Sequence, residues 1–545
     1  MRCGTREGRR VTRRFGGCGL VLALLPAVAA ADCGEPATPL AAVRGAGEAP
    51  LPPGRMVTVE ATVTGSFPGG DGLDGFYVES ATEPRAGVFV YAPEVDADAA
   101  PRSAERWRIR ARTGRYRGRI QLESAEALQR CGTASLEPAP LRLPAAAGEL
   151  AGHSDRLVRL EGALVVTDAW DLARYGSLAL ASPQRRMHPA NGTAGGEPAG
   201  VILDDGSYRR GPEPIPHLDA EGTRRLGSRV ESAVGVLTRA FGAWRLHPVQ
   251  PVRFRDDNPR RLAPVREPGA LRAVNFNLRN YFLDRAGRGP DTPSGFERQR
   301  RRLAASLEAL DADVLALHEI ENRPAVVRDL LRLVNAGRDE ARRYAAAAAA
   351  MDRRGVIRSA LLYRPARLTL ESVRLDAARV HDRPPVIADF RDPDGQRLRV
   401  AAAHFKSRGG CPQAGDVDRG EGCWAQRRRA QADALADALA ADGPAPVLLL
   451  GDLNAYPAER ALAPLRAAGL VDLVAREVPA PRRYTYVYRG AAGYLDHALA
   501  SHGLAGRVAR VGIWHVNADE PPFLADRGDG VWRASDHDPV VVDLR

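Results

Sequence analysis

Two textures of apolar and polar positions divide the chain. From Arg55 to Pro248, short runs alternate residue by residue between apolar and polar and are broken by Gly. MVTVEATVTG, GFYVES, GVFVYAP and RWRIRARTGRYRGRIQL come first; RLVRLEGALVV, GSLALAS, GVILDDG and SRVESAVGVLTRAFGAWRLHP then repeat the order. Successive side chains of a strand point to opposite faces, so a period of two marks a strand with one buried face. The repeat predicts two small all-β barrels of about five strands each, over residues 32–150 and 151–257. Pro-rich and Arg-rich sequence from Asp256 to Pro268 predicts a linker.

After Pro268 apolar runs alternate with helical periodicity. RAVNFN reads as a strand, Phe296 to Leu310 as a helix, Val314 to Leu317 as a strand and Pro324 to Asn335 as a helix. An Ala-rich run from Tyr344 precedes the strands VIRSALLYRP and LRVAAAHF. A helix from Trp424 to Leu439, a buried strand at Val447 to Leu450 and a helix near Ala458 to Ala468 follow. This alternation predicts an α/β domain over 268–545, a mixed sheet with helices on both faces. One apolar strand after another ends in polar residues: Asn275 and Asn277, His318 and Glu319, His404 and Lys406, Asp452 and Asn454, Asp496 and His497. Ligands of open α/β sheets gather at strand ends, so these clusters are expected to meet in one site.

Their chemistry suits a phosphate beside a hard cation. Asp452 and Asn454 lie two positions apart and share a side if the strand continues, as do Glu319 and Glu321. His404 is a candidate phosphate hydrogen bonder, two residues from Lys406, the only lysine in the chain. In SDHDPVVVDL, His537 stands between Asp536 and Asp538, and neighbouring carboxylates raise an imidazole's pKa and orient its ring. Taken singly, each stretch has a plain structural explanation: an Asx turn, a strand-end charge, a structural histidine or a turn cap.

The first 31 residues pair an Arg-rich start with an apolar stretch from Gly19 to Val28 and small residues through Ala31, the pattern of an export signal. Those residues hold six Arg and one Glu, so +5 of the formal +11 leaves with them and about +6 remains. A moderate basic excess is compatible with a nucleic-acid partner. No other apolar run is long enough to span a bilayer. Beyond the signal stand Cys33, Cys131, Cys411 and Cys423, an even number with three connectivities; nearness in sequence favours Cys411 with Cys423 and leaves Cys33 with Cys131. The lack of a C-x-x-C pair speaks against zinc.

NFN, HEIEN, HFKSR, GDLNAY, YLDHALAS and SDHDPV, in that order, resemble the endonuclease/exonuclease/phosphatase superfamily, above all its secreted bacterial nucleases, and the N-terminal pattern resembles the OB-fold. The resemblance covers about residues 270–545 by motif and 55–255 by architecture alone. It implies a four-layered α/β sandwich preceded by two OB-like barrels. Its activity would be hydrolysis of DNA or RNA with little sequence preference, dependent on a divalent metal, Mg2+ first and Mn2+ or Ca2+ next. Glu319 would be the main metal ligand, with Asn277 and Asp536 near the cation or the scissile phosphate. His537 would be the general base oriented by Asp496; Asp452 and Asn454 would position phosphate and nucleophile; His404 and Lys406 would bind the phosphate. CPQAGDVDRGEGCW resembles an insertion closed by a Cys411–Cys423 disulfide. Two positions depart from the family: His318 replaces the usual Gln beside the metal ligand, which bears on metal preference and pH response, and Ala403-His404 replaces the more usual Asn-His. The alternatives are a phosphodiesterase or phosphatase of the same fold acting on phospholipid or sugar-phosphate, and a non-catalytic nucleic-acid-binding protein. The first should show an exposed apolar loop; the second needs basic and aromatic residues rather than acid/base histidines.

Overall fold

A computed structural model describes residues 32–45, 49–82, 85–284, 288–347, 354–392, 394–441 and 443–545; the expected export signal, residues 1–31, lies outside the described residues. The first module is a closed barrel of β1 (Met56–Phe67), β2 (Gly75–Glu79), β3 (Gly87–Tyr91), β4 (Glu105–Tyr116) and β5 (Arg119–Thr133). Strand β1 pairs with both β2 and β4, and the ring closes where β3 and β5 run parallel, Phe89 opposite Gln121. Alternate residues Val57, Val59, Phe76, Val78, Val88 and Val90 fill its interior, as the period of two requires. Cys33 is bonded to Cys131 near the end of β5, their Cα atoms 5.6 Å apart.

The second module has nine paired strands instead of about five: β6 (Ala139–Arg142), β7 (Arg156–Glu161), β8 (Leu164–Asp168), β9 (Leu178–Ser182), β10 (Glu197–Leu203), β11 (Arg229–Ser232), β12 (Val234–Ala240), β13 (Ala243–Pro248) and β14 (Arg253–Arg255). Two breaks account for half of the excess, and the edge strands β6 and β14 for the rest. Only Gly162 and Ala163 separate β7 from β8, with Gly162 at φ 110, a conformation open to glycine; Ala233 alone separates β11 from β12. Because β7 pairs with β12 and β8 with β11, each broken pair continues across its gap. Counted as unbroken strands, they repeat the pairing order of the first module, with the third and fifth, β10 and β13, again parallel.

The expected linker is a pinned strap. Asn258 donates from Nδ2 to Asp519 at 2.6 Å, Arg260 pairs with Glu520 at 2.7 Å, and the carbonyl of Arg261 accepts from Trp514 Nε1 at 2.7 Å. The second module adds to the same contact: Arg185 meets Asp519 at 2.5 Å, Arg225 pairs with Glu520, and Asp519 and Glu520 are buried. Main-chain bonds join His188 to Ala492 and Ala458 to Ala190, and the His188 ring stacks on Tyr456 at 3.7 Å.

Residues 271–545 form two mixed six-stranded sheets, the pair that the four-layered expectation requires and that alternation alone read as one. In the first, β17 (Ala345–Ala347), β18 (Ile357–Tyr363), β16 (Val314–Glu321), β15 (Leu271–Tyr281), β28 (Val540–Leu544) and β27 (Val508–Ile513) lie in that order. The second runs β19 (Thr369–Leu375), β20 (Val386–Arg391), β21 (Arg397–His404), β22 (Val447–Asp452), β26 (Asp496–Ser501), β23 (Leu470–Asp472). Strands β24 (Tyr486–Tyr488) and β25 (Ala491–Gly493) make a separate hairpin. One core joins the facing sheets through Ala273, Ala316 and Val542 on one side and Val400, Leu448 and Ala498 on the other. Helices Pro293–Leu310 and Pro324–Asn335 cover the outer face of the first sheet, and helix Ala425–Ala441 covers that of the second. The layers are therefore helix, sheet, sheet, helix, each sheet carrying helices on one face only. Among the described residues no helix is long and apolar enough to cross a membrane.

Candidate active site

Strand direction brings the polar strand ends to one edge. Strands β15 and β16 are parallel, as are β21 and β22, so Asn277 lies opposite His318 and His404 opposite Asp452 at their C-terminal ends. Strand β26 runs antiparallel to β22 and sets Asp496 opposite Asp452, while β28 runs antiparallel to β15 and carries residues 536–538 to the same edge. Nδ2 of Asn277 donates to Asp452 Oδ2 at 2.9 Å across the two sheets.

Two groups of ligand atoms, each within 4.8 Å of one another, share Asp452: Glu319, His404 and Asp452, and Asp452, Asp496 and His537. Burial pushes the Asp452 carboxyl up to about 7; His537 and the bond from Asn277 oppose this, while Asp496 and Glu319 add to it. Glu319 enters the cluster through a bulge in β16 between Leu317 and Ile320, where its φ is 56°. A non-glycine residue held there costs on the order of 1 kcal/mol, a strain typical of functional sites. His404 Nε2 lies 3.3 Å from Asp452 Oδ2 and accepts from Arg383 Nη1. Burial, then the Arg383 guanidinium, holds His404 well below its ordinary range, so its ring is neutral. Two carboxylates and an imidazole with ligand atoms within 4.8 Å of one another are donors of the kind a divalent cation takes, and a cation there would supply the charge the carboxylates lack.

On the other side, Oδ2 of Asp496 accepts from His537 Nδ1 at 2.7 Å and from Thr485 Oγ1 at 2.6 Å. Burial alone would lower His537; its ion pair and hydrogen bond with Asp496, then Asp452 and Asp536, raise it well above 6.5 instead. With Nδ1 committed to Asp496, Nε2 is the atom left to exchange a proton. Tyr486 lies over the ring at 4.7 Å.

The remaining expected residues make other contacts, two of them, Asn277 and Asp536, beside the same site. Glu321 does not share a face with Glu319, because the bulge turns the chain; its Oε2 accepts from the amides of Leu283 and Asp284 at 2.8 and 3.1 Å. Asp538 does not flank the His537 ring but accepts from the Asn517 and Ala518 amides and contacts His515 at 3.0 Å. Strand geometry ends at Asp452, and Asn454, at φ 49, turns its Nδ2 to the Phe405 carbonyl at 3.2 Å. Asn277 Oδ1 accepts the Arg279 amide, and Asp536 belongs to neither group of three. Lys406 points its Nζ at the Trp424 ring, 5.0 Å away, on the insertion closed by Cys411–Cys423. His497 is buried and bonds the Ala455 carbonyl at 2.9 Å. His318 is a buried neutral bridge between Asn275 Oδ1 at 2.6 Å and Ser359 Oγ at 2.8 Å, its pKa pushed down to about 3 by burial. Sequence reading missed Arg383, Thr485 and Tyr486: the first is one Arg among many, and the others stand at or just before the start of a three-residue strand too short to show periodicity.

Residues 274–537 match the family model described as Endonuclease/Exonuclease/phosphatase family. The two-sheet domain is an endonuclease/exonuclease/phosphatase domain. No curated protein matches the chain. Among solved structures, this chain is similar to humanized D. rerio TDP2 at 18% identity, covering 50% of this chain and 98% of that one with a TM-score of 0.36. It is also similar to the human Nocturnin catalytic domain at 14% identity, covering 51% and 94%, TM-score 0.35, and to Bacteroides thetaiotaomicron mannosyl-6-phosphatase at 16%, covering 51% and 100%, TM-score 0.35. The shared Asp452 thus lies within the stretch that the endonuclease/exonuclease/phosphatase model spans, as do Glu319, His404, Asp496 and His537.

Proposed function

We propose that the protein is an exported, divalent-metal-dependent nuclease that hydrolyses phosphodiester bonds of DNA, and of RNA, with little sequence preference. The observation that carries this reading is the position of Asp452, shared between a carboxylate and imidazole cluster suited to a cation and an Asp496–His537 pair suited to proton transfer. A divalent cation held by Glu319 and Asp452 would neutralise charge at the phosphate oxygens and template the attacking water. His537, its Nδ1 fixed by Asp496, accepts the water's proton at Nε2. Arg383 directs its guanidinium at the His404 edge of the cluster, where a phosphate oxygen would find a charged donor.

The nucleic-acid substrate is supported by the charge of about +6 beyond the signal and by the two β modules. Their common strand order, with third and fifth strands parallel, supports the OB-like reading. Export is supported by the N-terminal pattern and by the two disulfides. The test incubates mature protein with supercoiled plasmid and Mg2+, Mn2+ or Ca2+, with and without excess chelator, beside His537→Ala. Nicking that needs metal and His537 is expected. Folded protein that cleaves nothing under any metal would overturn the reading and direct attention to phospholipid and sugar-phosphate substrates.

A further inference from the structure

A cleft of about 600 Å³ separates the second β module from the endonuclease/exonuclease/phosphatase domain. Trp170 and Arg174 stand on the module side; Arg279, Arg302 and Arg533 line the domain side, with Asp526 the one carboxylate among its walls. Among the described residues Arg279, Arg302 and Arg533 have no carboxylate within ion-pair distance, and all three line the cleft, Arg302 and Arg533 as largely buried side chains. Main-chain carbonyls hold two of them in place: Arg533 donates to Asn517 O at 2.6 Å and Arg302 to Gly528 O at 2.8 Å. The Arg279 amide donates to Asn277 Oδ1 and Asn277 donates to Asp452, so this wall of the cleft adjoins the candidate active site. Against burial, which alone would raise it, His537, Arg279 and Arg533 hold the Asp536 carboxyl low, as their nearness requires.

Trp170 is 59% exposed at this wall. Its backbone is nevertheless fixed, the amide donating to Asp168 Oδ1 at 2.8 Å at the end of β8. A rigidly presented, solvent-facing indole opposite an Arg-lined wall offers a stacking surface and phosphate contacts together. Bases within a duplex have their faces covered by neighbouring pairs, whereas an unpaired base offers a free face. We propose that this cleft binds single-stranded nucleic acid, with a base stacked on Trp170 and a backbone phosphate on Arg174; the assignment rests on the nuclease reading above.

The test measures fluorescence anisotropy of a labelled oligothymidylate and of a labelled duplex with the full-length protein in excess chelator. Wild type is expected to prefer the single strand, and Trp170→Ala to bind it about tenfold more weakly, the loss typical of a stacking residue. Trp170→Phe should recover most of that loss. Arg174→Ala should reduce the slope of log affinity against log salt by about 0.7, the value for one phosphate contact on a single strand. Both side chains are on the surface, so the variants should melt with the wild type. Preference for the duplex, or wild-type binding by both alanine variants, would overturn the proposal. The two readings fail separately. Binding through Trp170 by a protein that cuts no nucleic acid would support the cleft and remove the nuclease, while plasmid cleavage with unaltered binding by the variants would do the reverse.

Discussion

His537 holds its Nδ1 2.7 Å from Oδ2 of Asp496, which lies 41 residues earlier, on the sheet that faces the strand following His537. The carboxylate fixes which imidazole nitrogen carries the proton at rest and raises the ring's pKa. In Asp496→Asn the charge is lost, so the His537 pKa falls and the rising limb of the pH–kcat profile moves to lower pH. At the same time kcat drops about 10²-fold, as general-base contributions of this kind do. Linkage has the matching sign: a raised folded pKa means that the pair stabilises the fold fully below the unfolded value and loses that contribution as pH rises through the folded one. Imidazole proton titration by NMR, with and without the substitution, checks the direction.

Glu319→Ala removes a carboxylate from the cluster around Asp452 and should weaken the metal dependence of cleavage at least tenfold in half-saturating concentration, read from a metal titration of initial rates. Calorimetric titration with Mn2+ gives the same comparison without turnover. An unchanged titration would remove Glu319 as a ligand.

Arg225→Ala should cost about 3–5 kcal/mol in urea unfolding, because it strips a partner from Asp519 and Glu520 and leaves both carboxylates buried. Replacing an exposed arginine such as Arg209, whose partner Asp71 is itself largely exposed, should cost well under about 1 kcal/mol.

Acid should act on the same contact. Burial would raise the Asp519 carboxyl, but Arg185 and Arg225 overcome it and hold the group below its ordinary value. A depressed folded pKa contributes stability that is complete above the unfolded value, about 3.9, and is lost as pH falls through the folded one. Urea midpoints measured at pH 5, 4 and 3 should therefore fall below about pH 4, and Asp519→Asn should flatten that fall while lowering the midpoint at pH 5.

Much of the candidate site was legible because strand ends obey simple geometry. Glu319, His404, Asp452, Asp496 and His537 each lie at or within three residues of an end of an apolar strand, and parallel and antiparallel pairing delivers all of them to one edge. Where the backbone leaves regular geometry, the alternation misleads: the bulge at Glu319 redirects Glu321, and the left-handed turn at Asn454 redirects an amide expected beside Asp452. Arg383 and Thr485 were not legible, since each acts through a contact made only when distant loops meet. The division into one β half and one α/β half was correct, but alternation along a strand does not reveal which apolar faces pack together. Alternation alone therefore read as one mixed sheet, and the second came only from the family resemblance, which implied four layers; composition could not show that the Pro-rich segment after Asp256 is held by buried carboxylates.

Asn258, Arg260 and Arg261 turn what reads in sequence as a leash into a splint. On a leash, a module could grip a strand at any distance from the cutting edge, and fragments would come in every length. A splint fixes the gap between the gripped nucleotide and the broken bond. On the proposed reading, fragment ends would then be counted off from Trp170, as along a ruler.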